Sequence, residues 1–335
     1  MRGLNKMKKM ISVLLAALFV FAVCSCVNGG NPAVSTDSDT VTDTATDAPV
    51  TMPDNIAKVI IIAGQSNAVG YSYRHFLDVN YLDEYSRDRL ALADAGYPDI
   101  LMKYSNNPYD PSQDTCGNDD FEPVHFGMGA RNTEYKEEWG LPFGAEMGIA
   151  ETLTEKYPGE KFYIIKCATS GANLSNRWNP RSKNLYKQMV EFTSEALAGL
   201  KEQGLKPEII CFCWMQGESD AQENYVPSYI STFNFLLKSL NEDLAEYMPP
   251  NGMAVADAGI RAVWPNYEAM NAAKEGFANK SSKRYFFDTT WFIAGRDHND
   301  RAHYDAYSMI RLGNAFGDCI VSAIEDYSNP EVTSK

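Results

Sequence analysis

Four consecutive β-branched residues, Val59-Ile60-Ile61-Ile62, stop at Ala63-Gly64 and give way at once to Gln65-Ser66-Asn67-Ala68-Val69-Gly70. An unbroken apolar run of this kind reads as a strand buried on both faces, which belongs in a parallel sheet covered by helices. The pattern recurs along the chain. Strands are expected at 58–63, 162–167, 208–214 and 253–257, with weaker ones at 99–104 and 285–288. Amphipathic helices are expected at 145–157, 184–203, 227–247, 267–278 and 305–326. Strands and helices in alternation predict an α/β fold around a central parallel sheet. Met189, Phe192, Ala196 and Leu200, and again Met309, Leu312, Phe316 and Ile320, recur at helical spacing and are expected to face the core. Residues 71–97 and 105–140 read as long irregular loops, expected to wall a cleft.

The N-terminus has a different character. Arg2, Lys6, Lys8 and Lys9 precede an apolar run at 10–23, the pattern of a secretory signal and short for a membrane span. Val23-Cys24-Ser25-Cys26 follows and resembles a bacterial lipobox, with Cys26 as the lipidated residue. Ordinary cleavage without a lipid and a retained anchor helix are the alternatives. Residues 27–55 are rich in Thr, Ser and Asp and too poor in bulky apolar side chains to fold. The expected organisation is therefore a signal over 1–26, a tether over 27–55 and one domain over 56–330. The expected location is the cell surface, with the membrane touched only through the lipid. A net charge of −14 weighs against nucleic acid as a partner. No obligate protein partner is evident. Beyond the tether lie Cys116, Cys167, Cys211, Cys213 and Cys319, with no C-x-x-C pair. Cys167, Cys211 and Cys213 are expected as buried thiols, and a disulfide at Cys116 is an open alternative.

Ser66 sits where a strand ends and a helix begins, so it is either a helix N-cap or a nucleophile. Ligands of an open parallel sheet bind beyond the carboxyl ends of its strands. Three strand ends are therefore read together, "AGQSNA", "KCATSGANLSNRW" and "CWMQGESDA", with the C-terminal "GRDHNDRAHYDAYSMIRLG". A serine nucleophile needs an imidazole to take its proton. The chain has four histidines, and His303 is the best placed, with Asp300 three positions earlier on the same loop. The bland alternative has Asp300 capping a helix and His303 on the surface. Asp297, His298, Asp300 and His303 also form a candidate metal cluster. It ranks below catalysis because the groups crowd one short loop and lack helical ligand spacing. Neither a metal nor a cofactor is expected. Oxyanion donors are sought in the Ser66 and Gly171 backbone N–H groups and the Gln216 side-chain amide.

Five stretches carry a resemblance: "GQSNAVG", "WGLPFGAEMGIA", "IIKCATSGANL" with Trp178 after it, "WMQGESDA" and "DRAHYDAYSMIRLG". In this order the chain resembles the SGNH hydrolases, and within them the sialate O-acetylesterase-like proteins and carbohydrate esterase family six. The resemblance implies a three-layer α/β/α flavodoxin-like fold. It implies Ser66 as nucleophile, His303 as base and Asp300 as its orienter, with Ser66, Gly171 and Gln216 forming the oxyanion hole. Asn67, Glu218 and Asp220 are supporting residues, the last two expected to hold the Gln216 loop. At "ATSGA" the chain departs from a common Gly-Gly pair, with Ser170 in place of the first glycine. The Gly-x-Ser-x-Gly elbow is absent. The implied activity is removal of acetyl groups from carbohydrate, with acetylated xylan, other hemicellulose and O-acetyl sialic acid all open. A non-catalytic glycan-binding lipoprotein and a lipid esterase on the same fold are the alternatives.

Overall fold

The computed structural model describes residues 55–108, 113–182, 184–297 and 300–328. The signal, Cys26, nearly all of the tether and His298 lie outside the described residues. Among the described residues no helix is long and apolar enough to cross a membrane.

Six long strands form the sheet: β1 (Ile56–Gly64), β2 (Tyr97–Asn106), β3 (Phe162–Ala168), β4 (Lys206–Met215), β5 (Ala254–Ala258) and β6 (Arg284–Phe287). They are mutually parallel in the order β6-β5-β4-β1-β3-β2, and the short segments Cys116–Gly117 and Glu122–Val124 add antiparallel pairs to β2. Every predicted strand is present, each within three residues of the expected ends. The middle strands explain why: Ala57–Gly64 of β1 and all of β3 are buried, so their sequences had to be apolar on both faces. Helices cover the sheet, among them α1 (Ser66–Val69), α2 (Glu146–Lys156), α3 (Leu185–Glu202), α4 (Glu218–Gln222), α5 (Val226–Asp243), α6 (Tyr267–Ala278) and α7 (Ala306–Ser328). Met309, Leu312, Phe316 and Ile320 of α7 are fully buried, as are Leu200 and nearly so Met189 and Ala196 of α3, while Phe192 is only partly covered. Helices α2 and α7 cross closely, for a Cβ at Gly148 would lie 2.1 Å from the Ile310 carbonyl oxygen. This packing, rather than chemistry, accounts for the glycines in "AEMGIA" and "MIRLG".

The reading of 71–97 as irregular is corrected. Three short helices, Arg74–Asn80, Leu82–Tyr85 and Arg87–Ala95, occupy it. None has the length that stabilises an isolated helix, so their sequences carry little periodic signal, and tertiary burial of Phe76, Leu77, Tyr81 and Tyr85 holds them. Residues 105–140 are largely irregular as expected. The five cysteines among the described residues are free thiols, and Cys167, Cys211 and Cys213 are buried.

One core residue has no precedent in the pattern. Lys166, in the middle of β3, is fully buried. Its Nζ donates to Glu146 Oε2 at 2.9 Å, Met128 O at 2.8 Å and Val69 O at 3.2 Å. The pairing with a carboxylate and two carbonyls offsets its desolvation. It also fastens the last residue of α1 to the sheet beneath.

Candidate active site

The register levels three strand ends. Gly64 pairs with Ala168 of β3 on one side and Met215 of β4 on the other. Gln65-Ser66, Thr169-Ser170-Gly171 and Gln216-Gly217 therefore leave the sheet side by side. Gly64 permits this crowding, since a Cβ there would lie 2.0 Å from the Met215 carbonyl oxygen. Beyond the strand ends opens a cleft of about 550 Å³, lined by Ser66, Gly171, Asp300 and His303 among others. Asn132, Thr133 and Glu134 contribute a wall, so the long second loop does border the cleft.

Ser66 is the first residue of α1, and the capping position belongs to Gln65, whose side chain makes no capping bond. The capping role considered for Ser66 is thus not the one it plays. Ser66 N–H lies in the first turn, where no helical carbonyl precedes it. Gly171 has a φ of +64°, and the turn closes through Ala172 N–H to Thr169 O, leaving the Gly171 N–H unused in the turn.

His303 Nδ1 forms a short hydrogen bond with Asp300 Oδ2. The other carboxylate oxygen of Asp300 accepts the Ala302 N–H at 2.8 Å and the His303 N–H at 3.2 Å. Burial by itself would raise the Asp300 pKa, but the His303 ring and these two backbone donors outweigh it and hold the carboxyl well below the usual range. Asp300 is therefore an ionised orienter for one ring nitrogen, which leaves Nε2 as the free edge of the imidazole. Among the described residues no hydrogen bond joins Ser66 Oγ to His303. Asp297 is committed elsewhere, accepting the Asn80 side chain at 3.0 Å and the Ala306 N–H at the start of α7 at 2.6 Å.

The supporting residues sit behind the cleft. Asn67 Nδ2 donates to Glu218 Oε1 at 2.9 Å, and Asn67 Oδ1 accepts the Tyr304 N–H at 3.1 Å. Glu218 therefore holds Asn67, not the Gln216 loop as expected. Its pKa is raised, chiefly by burial, against the opposing pull of Asn67. Asp220 does hold Gln216, through Oδ2 at 2.6 Å, and also receives Leu174 N–H at 2.7 Å and Ser175 N–H at 3.0 Å.

Gln216, the expected third oxyanion donor, makes other contacts in the structure. Gln216 is fully buried and does not line the cleft. Its amide nitrogen faces Asp220 Oδ2 at 2.6 Å, Gln65 Oε1 at 3.2 Å and Ala172 O at 3.3 Å, and its Oε1 accepts the Tyr229 hydroxyl at 2.9 Å. Two amide hydrogens cannot serve these acceptors and an oxyanion as well. Gln65, by contrast, does line the cleft. Its Oε1 accepts from Gln216 and from the Ser219 N–H at 3.2 Å, which fixes the amide and leaves Nε2 without an acceptor among the described residues.

Sequence reasoning missed a second group. The Tyr71 ring lies 4.8 Å from the His303 ring, centroid to centroid. Its hydroxyl bonds Ser170 Oγ at 2.6 Å and accepts Asn107 Nδ2 at 3.0 Å, while Asn107 Oδ1 accepts Ser170 N–H at 2.9 Å. Ser170, the departure from Gly-Gly, thus ties the Gly171 turn to the residue that packs on the imidazole. The only sequence signal was the position of Tyr71, just after "GQSNAVG".

No curated protein sequence matches the chain. Three solved structures resemble it in fold. A protein from Arabidopsis thaliana is 20% identical at a TM-score of 0.57, covering 81% of this chain and 99% of its own. NanS is 16% identical at 0.56, covering 82% and 100%. A carbohydrate acetylesterase from Xanthomonas citri is 11% identical at 0.50, covering 82% of this chain and 57% of its own. Residues 56–322 match the family described as carbohydrate esterase, sialic acid-specific acetylesterase. The α/β/α fold and this match together make the chain a member of that family, whose chemistry is hydrolysis of acetyl esters on carbohydrate.

Proposed function

We propose that the protein is a serine O-acetylesterase acting on glycans. The observation that carries this reading is the Asp300–His303 pair opening onto the same cleft as Ser66. Ser66 Oγ attacks the acetyl carbonyl carbon and His303 takes its proton. The sugar oxygen leaves with that proton, and an acetyl-Ser66 ester remains. Water, deprotonated by His303, then releases acetate. The developing oxyanion is met by the N–H groups of Ser66 and Gly171 and by the Gln65 amide. Polar side chains at the cleft, Asn132, Glu134, Gln222 and Arg301, favour a hydroxylated substrate over a lipid.

Two measurements test the reading. Acetate release is followed on acetylated xylan, other acetylated hemicelluloses and O-acetyl sialic acid, and a fluorophosphonate probe is mapped by peptide mass spectrometry. Expected are turnover of at least one glycan and a single adduct on Ser66. Activity that disappears with chelator and returns with zinc, with no adduct on Ser66, would overturn the serine mechanism.

We further propose that the protein is exported and anchored through a lipid on Cys26. Support comes from the apolar run at 10–23, the Val23–Cys26 stretch and the acidic tether. The full chain expressed in a lipoprotein-processing bacterium should partition into detergent, and Cys26→Ala should move it to the aqueous phase. Equal partitioning would remove the lipid and leave the esterase chemistry untouched.

A further inference from the structure

Trp291 is 83% exposed, the most open of the large apolar side chains among the described residues. A tryptophan ordinarily keeps most of its surface out of water. Slack backbone does not explain the exposure. Trp291 sits in a turn closed by the Phe292 N–H on the Thr289 carbonyl at 3.0 Å, and both flanks of the turn are fastened. Before it, Thr289 Oγ1 donates to Gly259 O at 2.6 Å and accepts the Tyr304 hydroxyl at 2.7 Å. After it, the Phe292 ring meets the Tyr304 ring edge to face, with centroids 5.6 Å apart. Ile293 N–H then donates to Ser308 Oγ at 2.9 Å, and Ile293 O accepts the Asp305 N–H at 3.0 Å. An indole on so firm a base, left open to water, is a contact surface whose ordering cost is already met by the fold.

The same fastenings place it beside the cleft. Ala258 of β5 pairs with Phe287 of β6, so the loops that follow leave the sheet together, beyond the carboxyl ends of the strands where the cleft opens. One guanidinium ties the Trp291 turn to the cleft wall. Arg261 donates through Nε to Phe292 O at 2.8 Å and through Nη1 to Arg301 O at 2.7 Å. Arg301 lines the cleft, and so does Trp264, three residues after Arg261. Tyr304, against which the turn rests, directly follows His303.

We propose that Trp291 is a stacking platform for a sugar ring further along the glycan than the acetylated one. The substrate is then an ester on an oligosaccharide or polysaccharide, not on a free monosaccharide, a conclusion that rests on the glycan-esterase reading. A pyranose presents a face of C–H groups between its hydroxyls, and an indole offers it a broad, flat apolar surface with an electron-rich face. The hydroxyls at the edge of the stacked ring stay in water, so no buried polar partner is required of the platform.

Trp291→Ala and Trp291→Phe are compared with the wild type on acetylated xylo-oligosaccharides, acetylated manno-oligosaccharides and O-acetyl sialyllactose. Each is measured against p-nitrophenyl acetate, an ester without a sugar. For at least one oligosaccharide, Trp291→Ala should lower the ratio of its kcat/KM to that of p-nitrophenyl acetate about tenfold, chiefly through KM, and Trp291→Phe should restore most of the loss. A ratio unchanged on every oligosaccharide that is hydrolysed overturns the platform. Binding is read apart from chemistry, in Ser66→Ala protein labelled with ¹⁵N at its five tryptophans. The Trp291 indole resonance, assigned by its loss in Ser66→Ala/Trp291→Phe protein, should shift saturably with the same oligosaccharides. If the wild type releases acetate from none of them, the glycan-esterase reading fails and the titration alone decides: a saturable shift keeps the platform and a silent resonance overturns it. Acetate release with a silent resonance keeps the esterase and removes the platform. Sedimentation velocity completes the set, since a wild-type dimer that Trp291→Ala dissolves would assign the ring to a contact between two copies and overturn the platform.

Discussion

Asn67 receives the backbone N–H of Tyr304 on its side-chain oxygen at 3.1 Å. Asn67 follows Ser66 directly, and Tyr304 follows His303, so one side chain spans the nucleophile turn and the base loop. Tyr304 is pinned further, its carbonyl accepting Ser72 Oγ at 2.9 Å and its hydroxyl donating to Thr289 at 2.7 Å. Loss of the link should misplace the imidazole without removing it. Asn67→Ala is expected to lower kcat by about 10²-fold with little change in KM, the cost of a small misalignment of reacting groups. Steady-state kinetics on an acetylated substrate decides it, and a variant within twofold of wild type would show that the link is dispensable.

Ser66→Ala and His303→Ala each remove a reacting group and should each cost roughly 10³-fold or more in kcat. The double variant should lose little beyond either single one, because the two act as a unit. Asp300→Asn should be severely impaired as well, since the ring loses the carboxylate that fixes its tautomer. Additive losses in the double variant would mean that the two residues serve different steps.

Gln65 and Gln216 should separate cleanly. Gln65→Ala removes a donor at the cleft, and a loss on the order of 10²-fold in kcat is expected with modest loss of stability. Gln216→Ala takes one donor from the buried Asp220 carboxylate and one acceptor from the Tyr229 hydroxyl and leaves a cavity beside them, so it should destabilise the fold by about 1–3 kcal/mol. Thermal unfolding beside kinetics distinguishes them. A stable Gln216→Ala protein with kcat reduced 10²-fold, and an unaffected Gln65→Ala protein, would restore Gln216 to the oxyanion hole.

Much of this arrangement is legible in the order of the residues alone. Val59–Ile62 and Phe162–Cys167 have to be inner strands, because only a doubly covered strand tolerates such apolar runs. Their ends then have to converge. Asp300 and His303 are legible because both sit on one loop. The orientation of Gln216 is not, since it is decided by Asp220 one helical turn away and by Gln65, 151 positions away. The partner of Glu218 escapes sequence reasoning for the same reason: its carboxylate meets Asn67 beyond the end of the neighbouring strand, 151 positions away in sequence. Lys166 leaves no trace in the pattern, because its counter-ion Glu146 lies on a different layer.

Asp257, buried at the end of β5 beside Lys274 at 2.8 Å, gives a pH prediction. Burial lifts its pKa to about 6, against the pull of the lysine. The folded protein therefore holds this proton more tightly than the unfolded chain. The stability it contributes is complete below pH ~4 and is lost as pH rises through about 6. Relative to Asp257→Asn, the wild type should lose on the order of 3 kcal/mol between pH 4 and pH 7. Chemical denaturation of both proteins across that range measures the difference, and parallel profiles would show that Asp257 ionises as an ordinary carboxylate.

The level pairing of Gly64 with Ala168 and Met215 divides the chain into parts that tolerate revision and parts that do not. Adding or deleting one residue inside β1, β3 or β4 would turn the following segment over to the opposite face of the sheet. Ser66, Gly171 or the Asp220 clamp would then leave the common plane, whatever their identities. The wall at 132–134 carries no such phase requirement, since irregular backbone absorbs changes in length. New substrates are therefore to be sought by grafting and resizing that wall, with the three strands kept to their present residue count.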